Sequence, residues 1–63
     1  MRFEDLAVGN NFTPKGIDRK YKKIRTLEDK WGNLYVAVDA DGELATWEDF
    51  PDDSEVEETP LRL

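Results

Sequence analysis

The side chains best suited to chemistry in this chain are carboxylates, and two groups of them have suggestive spacing. Three acids alternate along the chain in the manner of half a calcium-binding loop: Asp39, Asp41 and Glu43. A complete EF-hand loop also needs a later bidentate glutamate and flanking helices, and neither follows. Asp52 and Asp53 are paired but fall on an exposed turn without the cleft that acid–base catalysis requires. We interpret both groups as turns, and expect no metal site, no cofactor and no catalytic residue.

Composition narrows the function further. The chain has 63 residues and contains neither cysteine nor histidine, so disulfides, thiolate metal sites and imidazole bases are excluded. A chain this short forms one domain with one core and no deep active-site cleft, and we expect a protein that is not an enzyme. It has no apolar run of membrane-spanning length, and its acidic start lacks the apolar region of a signal peptide. We expect a cytoplasmic protein.

Charge is divided between two segments. The net charge is −6. Residues 15–25 hold six basic residues against one acidic residue, whereas residues 39–58 hold ten acidic residues and no basic one. The folded molecule should therefore be a strong dipole.

The basic segment suggests one kind of partner. Four cations share a predicted strand: Lys20, Lys22, Lys23 and Arg25. With Tyr21, Trp31 and Tyr35 they could neutralise phosphates and stack bases, as small nucleic-acid-binding barrels do. The alternative is that these cations pair with the protein's own acids, and a pI near 4.4 disfavours attraction to nucleic acid.

The acidic segment suggests another partner, a protein. Its carboxylates could imitate a phosphate backbone and occupy the basic groove of a nucleic-acid enzyme, or they could serve only as a solubilising surface. The predicted partner-binding residues combine this acidic face with an aromatic patch: Trp31, Tyr35, Glu48, Asp49, Asp52 and Asp53.

The element that must organise these residues is a hairpin at Asp41-Gly42. Asp-Gly between two β-rich runs predicts a two-residue type I′ turn. In that register Val38 faces Ala45 and Val36 faces Trp47. Alternation then places five residues on the core face: Leu34, Val36, Val38, Ala45 and Trp47.

The remaining pattern predicts four more elements. A short helical turn or a tight loop opens the chain, strands follow at 10–13 and 20–28, and an edge strand lies at 54–58. The mixed parity of 20–28 indicates a bulge, although a helix over 18–30 is an alternative. The predicted core is Phe3, Leu6, Phe12, Ile24, Leu34, Val36, Val38, Trp47, Phe50 and Val56. We predict an all-β, five-stranded antiparallel, SH3-like half-open barrel over 1–58 with a loose tail at 59–63.

Several short motifs resemble a broad set of small proteins of tailed bacteriophages. They are Phe-x-x-Leu-x-Val-Gly-x-x-Phe from Phe3 to Phe12, Tyr-x-Lys-Ile from Tyr21, the stretch 37–43, and Phe-x-Asp-Asp-x-x-Val-Glu from Phe50. The stretch from Lys15 to Lys30 is longer and more basic than we expect of that set. The resemblance implies a phage accessory protein made in the bacterial host, where small early proteins often bind and redirect host machinery. Together with the charged and aromatic residues, this leads us to expect a monomer or dimer that binds and inhibits a host protein. Nucleic-acid binding and a role as a virion or assembly component are the alternatives.

Overall fold

A computed structural model describes residues 1–59, in which five strands form one antiparallel sheet. The strands are β1 (Asn11–Pro14), β2 (Tyr21–Glu28), β3 (Leu34–Asp39), β4 (Leu44–Thr46) and β5 (Val56–Thr59), and a 3-10 turn (Phe3–Asp5) precedes them. The strand order is β4-β3-β2-β1-β5, so consecutive strands are neighbours until β5 pairs with the free side of β1. The predicted all-β fold and its opening helical turn are confirmed. The helix considered for 18–30 is wrong, because β2 occupies most of that range.

The predicted tail at 59–63 lies outside the described residues except for Thr59, which is the last residue of β5.

Two neighbouring irregularities bend the sheet. The β2–β3 register shifts between Lys23 and Leu27, which confirms the bulge predicted for this strand. The β3–β4 register shifts between Tyr35 and Ala37. Because a bulge bends its strand and increases the local twist, the two together allow the sheet to curl around a single core.

The centre of that core is a cluster of four aromatic rings. Phe12 is fully buried, and its ring centroid lies 5.3 Å from that of Phe3, 5.3 Å from that of Phe50 and 5.7 Å from that of Tyr21. The contacts with Phe3 and Phe50 are edge-to-face, a geometry that aromatic quadrupoles favour. The rings come from the 3-10 turn, β1, β2 and the β4–β5 connection, so the cluster joins four distant segments.

Within residues 1–59, the buried residues of the hydrophobic core cluster are Phe3, Leu6, Phe12, Val36, Ala37, Ala45, Phe50 and Val56. Six of the ten predicted core residues are therefore confirmed. Three others are only partly buried: Ile24, Leu34 and Val38. The placement of Trp47 in the core is wrong, because its side chain is 52% exposed.

The predicted register of the β3–β4 hairpin is wrong by one residue. Val38 pairs with Leu44, and Ala37 pairs with Ala45. The slip brings Ala37 inward opposite Ala45 and turns Val38 to the outer face of the sheet.

The physical reason lies in the Asp39 side chain. Its Oδ1 accepts the N–H groups of Asp41 and Glu43, both at 2.9 Å. The Asp39 N–H donates to the Glu43 carbonyl at 2.9 Å, and the Gly42 N–H donates to the Asp39 carbonyl at 3.1 Å, so the loop has three residues. Only Gly42 has a positive φ, at 87°, whereas a type I′ turn needs two.

These positions predict that truncating Phe12 destabilises the protein much more than truncating Trp47. Phe12→Ala should lower the free energy of unfolding by about 3–5 kcal/mol, because it empties the centre of the core. Trp47→Ala should cost only about 1–2 kcal/mol, since half of that side chain is already in water. Urea denaturation of both variants tests this, and a larger loss for Trp47→Ala would contradict the core described here.

Candidate functional site

Lys23 supports the fold and is not part of an exposed basic face. Its Nζ donates to the carbonyl oxygens of Phe3, at 2.8 Å, and Leu6, at 2.7 Å. The same atom lies 4.5 Å from the centroid of the Phe3 ring. Because both carbonyls belong to the opening turn, this half-buried ammonium group fastens that turn to β2.

The neighbouring cation, Lys22, points to the other side of the sheet. One row of residues crosses the outer face in register from β5 to β4: Thr59, Asn11, Lys22, Val38 and Leu44. Lys20 and Lys22 line a shallow cleft of about 350 Å³ on this face. The Tyr21 ring beside them is stacked on Phe12, so it is not a free platform for a base.

Acidic groups lie close to this cleft. The pKa of Arg19 is raised, first by the side chain of Tyr21 and then by Asp39 and Asp41. Asp39 also lines the cleft with the two lysines. Of the predicted basic residues, Lys23 is therefore engaged within the fold. Arg19, just before them in the chain, has carboxylates as neighbours. Arg25 is exposed on β2 beyond the row that crosses the sheet.

The turn between β2 and β3 is built around Asp29. Its Oδ1 accepts the N–H groups of Trp31 and Asn33, both at 2.9 Å. Its Oδ2 accepts the Asn33 side-chain amide at 2.9 Å and the Tyr35 hydroxyl at 3.0 Å. These bonds, led by the one from the Asn33 side chain, lower the pKa of Asp29 to about 2, and the bond to Asp29 raises the pKa of Tyr35.

This turn repeats the β3–β4 turn. In each, an aspartate N–H bonds to the carbonyl four residues later, and a glycine N–H bonds back to the aspartate carbonyl. Gly32 has a φ of 83° and Gly42 one of 87°. The sequence signal is Asp-x-x-Gly at 29–32 and again at 39–42. Sequence reasoning missed this pair, and comparison of the two segments would have given the three-residue loop.

The Asp29 turn holds a tryptophan in solvent. Trp31 is 76% exposed at the tip of the hairpin, and the Lys30 Nζ lies 4.6 Å from its ring centroid. Its backbone N–H is fixed on Asp29. Tyr35, the other residue of the predicted aromatic patch, is partly buried and has its hydroxyl engaged on the same carboxylate.

Trp47 lies at the same end of the sheet. Its N–H donates to the carbonyl of Leu34, the first residue of β3 after the Trp31 turn. Its side chain borders a groove of about 350 Å³ that is lined by Thr26, Leu34, Val36, Trp47, Pro51 and Asp52. Sequence reasoning missed this site because it assigned Trp47 to the interior.

One of the predicted acidic residues lines this groove. Glu48 follows Trp47 directly, and Asp52 is part of the lining. Glu48, Asp52 and Asp53 are exposed. Asp49 is engaged locally, since its Oδ2 accepts the N–H of Thr46 at 3.3 Å and the hydroxyl of Thr46 at 3.4 Å. The structure therefore places one of these four acids, Asp52, in the lining of the groove, and Glu48 and Asp53 are exposed residues that adjoin lining residues in sequence.

Within residues 1–59, no group of three or more acidic side chains is arranged to hold a metal ion. The described part of the chain also has no helix long and apolar enough to cross a membrane. No protein-family model, curated protein or solved structure matches the chain.

Removing the charge of Lys23 and that of its neighbour Lys22 should have different effects on the stability of the protein. Lys23→Met should lower the free energy of unfolding by about 1–3 kcal/mol, because the partly buried Leu6 carbonyl loses this donor and the Phe3 carbonyl keeps only the N–H of Leu6. Lys22→Met, on the outer face, should change it by no more than about 0.5 kcal/mol. Equal effects in chemical denaturation would show that Lys23 does not fasten the opening turn.

Because the Asp29 carboxylate holds this turn, the free energy of unfolding should depend on pH in the acidic range. Its carboxyl has a lower pKa in the folded chain, about 2, than its ordinary value of 3.8, so ionisation favours the fold. This contribution is complete above about pH 4 and is lost as pH falls through about 2. The difference in unfolding free energy between the wild type and Asp29→Asn should accordingly narrow over that interval. The exposed Asp53→Asn variant is the control, and a narrowing of equal size there would refute a special role for Asp29.

Proposed function

We propose that this protein acts by binding another protein, through the end of the sheet that carries both of its tryptophans. The observation that carries this proposal is that neither indole is in the core. Trp31 is 76% exposed and Trp47 is 52% exposed, while smaller aromatic residues fill the interior. Tryptophan is enriched among the residues that dominate binding energy in protein interfaces.

The turn chemistry supports this use of Trp31. A side chain that must be ordered on binding loses conformational entropy, which weakens the complex. Here the Asp29 carboxylate holds the backbone at Trp31 and Asn33 before any partner arrives. Such a preformed tip is suited to insertion into a recess on a partner.

The acidic residues of this chain favour a partner that has a basic surface. Residues 39–58 carry ten acidic residues and no basic one, Asp52 lines the Trp47 groove, and Glu48 and Asp53 adjoin its lining residues in sequence. Complementary charge raises the rate of encounter and excludes acidic competitors. The same arrangement suits imitation of a nucleic-acid backbone at a basic groove.

The biological setting follows from the sequence resemblance to small phage proteins. In that setting the chain is an accessory protein of SH3-like architecture in the cytoplasm of a bacterial host, where it binds and inhibits a host protein without catalysis. The bent five-stranded sheet and the engagement of Asp29, Asp39 and Asp49 in turns support a binding role over a catalytic one.

Affinity capture from bacterial lysate, followed by mass spectrometry, tests the proposal. A defined host protein should be retained at low salt and weakened at about 0.5 M salt, where surface charge attraction is screened. Trp31→Ala should reduce its recovery while leaving the urea midpoint nearly unchanged, because Trp31 has little contact with the core. Leu44→Ala, at an exposed apolar residue of β4 on the outer face, is the matched control. Equal recovery with both variants, or a multimer in light scattering with no retained partner, would contradict the proposal.

A further inference from the structure

The groove beside Trp47 has features that the exposed Trp31 tip lacks. It is a concave site in which Val36, 9% exposed, meets the half-exposed Trp47 and Pro51. Its volume of about 350 Å³ is near the lower end of the range for ligand pockets. A site of this size accommodates an apolar side chain from a partner and is too small to receive a whole structural element.

The walls of the groove are held by backbone hydrogen bonds. On one side, the Trp47 N–H donates to the Leu34 carbonyl at 3.0 Å. On the other, the Asp52 carbonyl accepts the N–H of Glu4 at 3.0 Å, which fastens the Pro51-Asp52 segment to the opening turn. Because both walls are attached to different parts of the fold, the groove is formed before a ligand binds, and this reduces the entropic cost of binding.

Among residues 1–59, the lining of the groove has one charged residue, and its charge is negative. Asp52 contributes the charged group of the groove, and Glu48 and Asp53 adjoin it in sequence. The Asp52 side chain is exposed. An apolar side chain next to a Lys or Arg would place its apolar part against Trp47 and its cation near Asp52, and an acidic ligand would be repelled.

We infer that the Trp47 groove is a docking site for a short protein segment in which an apolar residue is flanked by Lys or Arg. This inference rests on the proposed function and adds the chemistry of the partner. It assigns the apolar anchor to the space between Trp47, Val36 and Pro51, and the flanking cation to Asp52. The Trp31 tip is a separate contact.

Selection of displayed random peptides on the immobilised protein at low salt tests the inference. The enriched peptides should carry Lys or Arg beside an aliphatic or aromatic residue. Their synthetic forms should bind about tenfold more weakly to Trp47→Ala. In the Trp31→Phe variant, where Trp47 is the only indole, they should also change the tryptophan emission. No enrichment, enriched peptides without a basic residue, or unchanged binding to Trp47→Ala would overturn the inference.

Asp52→Asn provides a second variant that does not depend on the packing of Trp47. Asp52 supports the fold through its backbone carbonyl, which this substitution retains. The variant should keep the urea midpoint and lose several-fold affinity for the basic peptides, and equal affinity would contradict the role of Asp52. If a captured host protein is lost with Trp31→Ala but retained by both Trp47→Ala and Asp52→Asn, the proposed function stands and this inference fails.

Discussion

Burial of the Phe12 ring is the interaction on which the rest of the structure depends. A chain of 63 residues without cysteine has no covalent support, so its few apolar residues must supply one continuous core. Phe12 meets Phe3, Tyr21 and Phe50 at centroid distances of 5.3–5.7 Å, and these four rings join the opening turn, two strands and the last connection. Lys23 completes the arrangement by binding the carbonyls of that turn. With the interior filled by these rings, both tryptophans remain at the surface.

Two aspartates shape the turns at opposite ends of β3, and both turns affect where the tryptophans lie. Asp29 and Asp39 each accept two backbone N–H groups within a three-residue loop, and each loop ends in a glycine with positive φ. The first turn presents Trp31, and the register that follows from the second turn leads to the position of Trp47. Acidic side chains therefore have two separate roles here. Some accept hydrogen bonds from backbone N–H groups in turns, and others, such as Glu48 and Asp52, are exposed charged side chains on the surface.

Much of the fold could be read from the sequence, because alternating apolar residues and turn residues specify short antiparallel strands. The bulge in β2, the opening turn and six core residues follow from that pattern. The hairpin register did not, since Asp41-Gly42 is compatible with a two-residue loop until the carboxylate of Asp39 is counted as an acceptor. That single residue of slip moved Val38 to the outer face. The structural role of Lys23 could not be predicted either, because the carbonyls that it binds, those of Phe3 and Leu6, lie 20 and 17 residues away in the sequence.

We propose that the end of the sheet that carries both tryptophans, with Asp52 beside Trp47, is the binding surface. The most direct measurement is an NMR spectrum of the isotope-labelled protein in concentrated bacterial lysate, where the two indole N–H groups give separate signals. We predict that these two signals and the backbone amides of residues 47–50, 52 and 53 lose intensity selectively, and recover at about 0.5 M salt as charge is screened. Selective loss at Lys20, Lys22 and Asn11, with both indole signals unchanged, would contradict the account and place the binding surface on the outer face of the sheet.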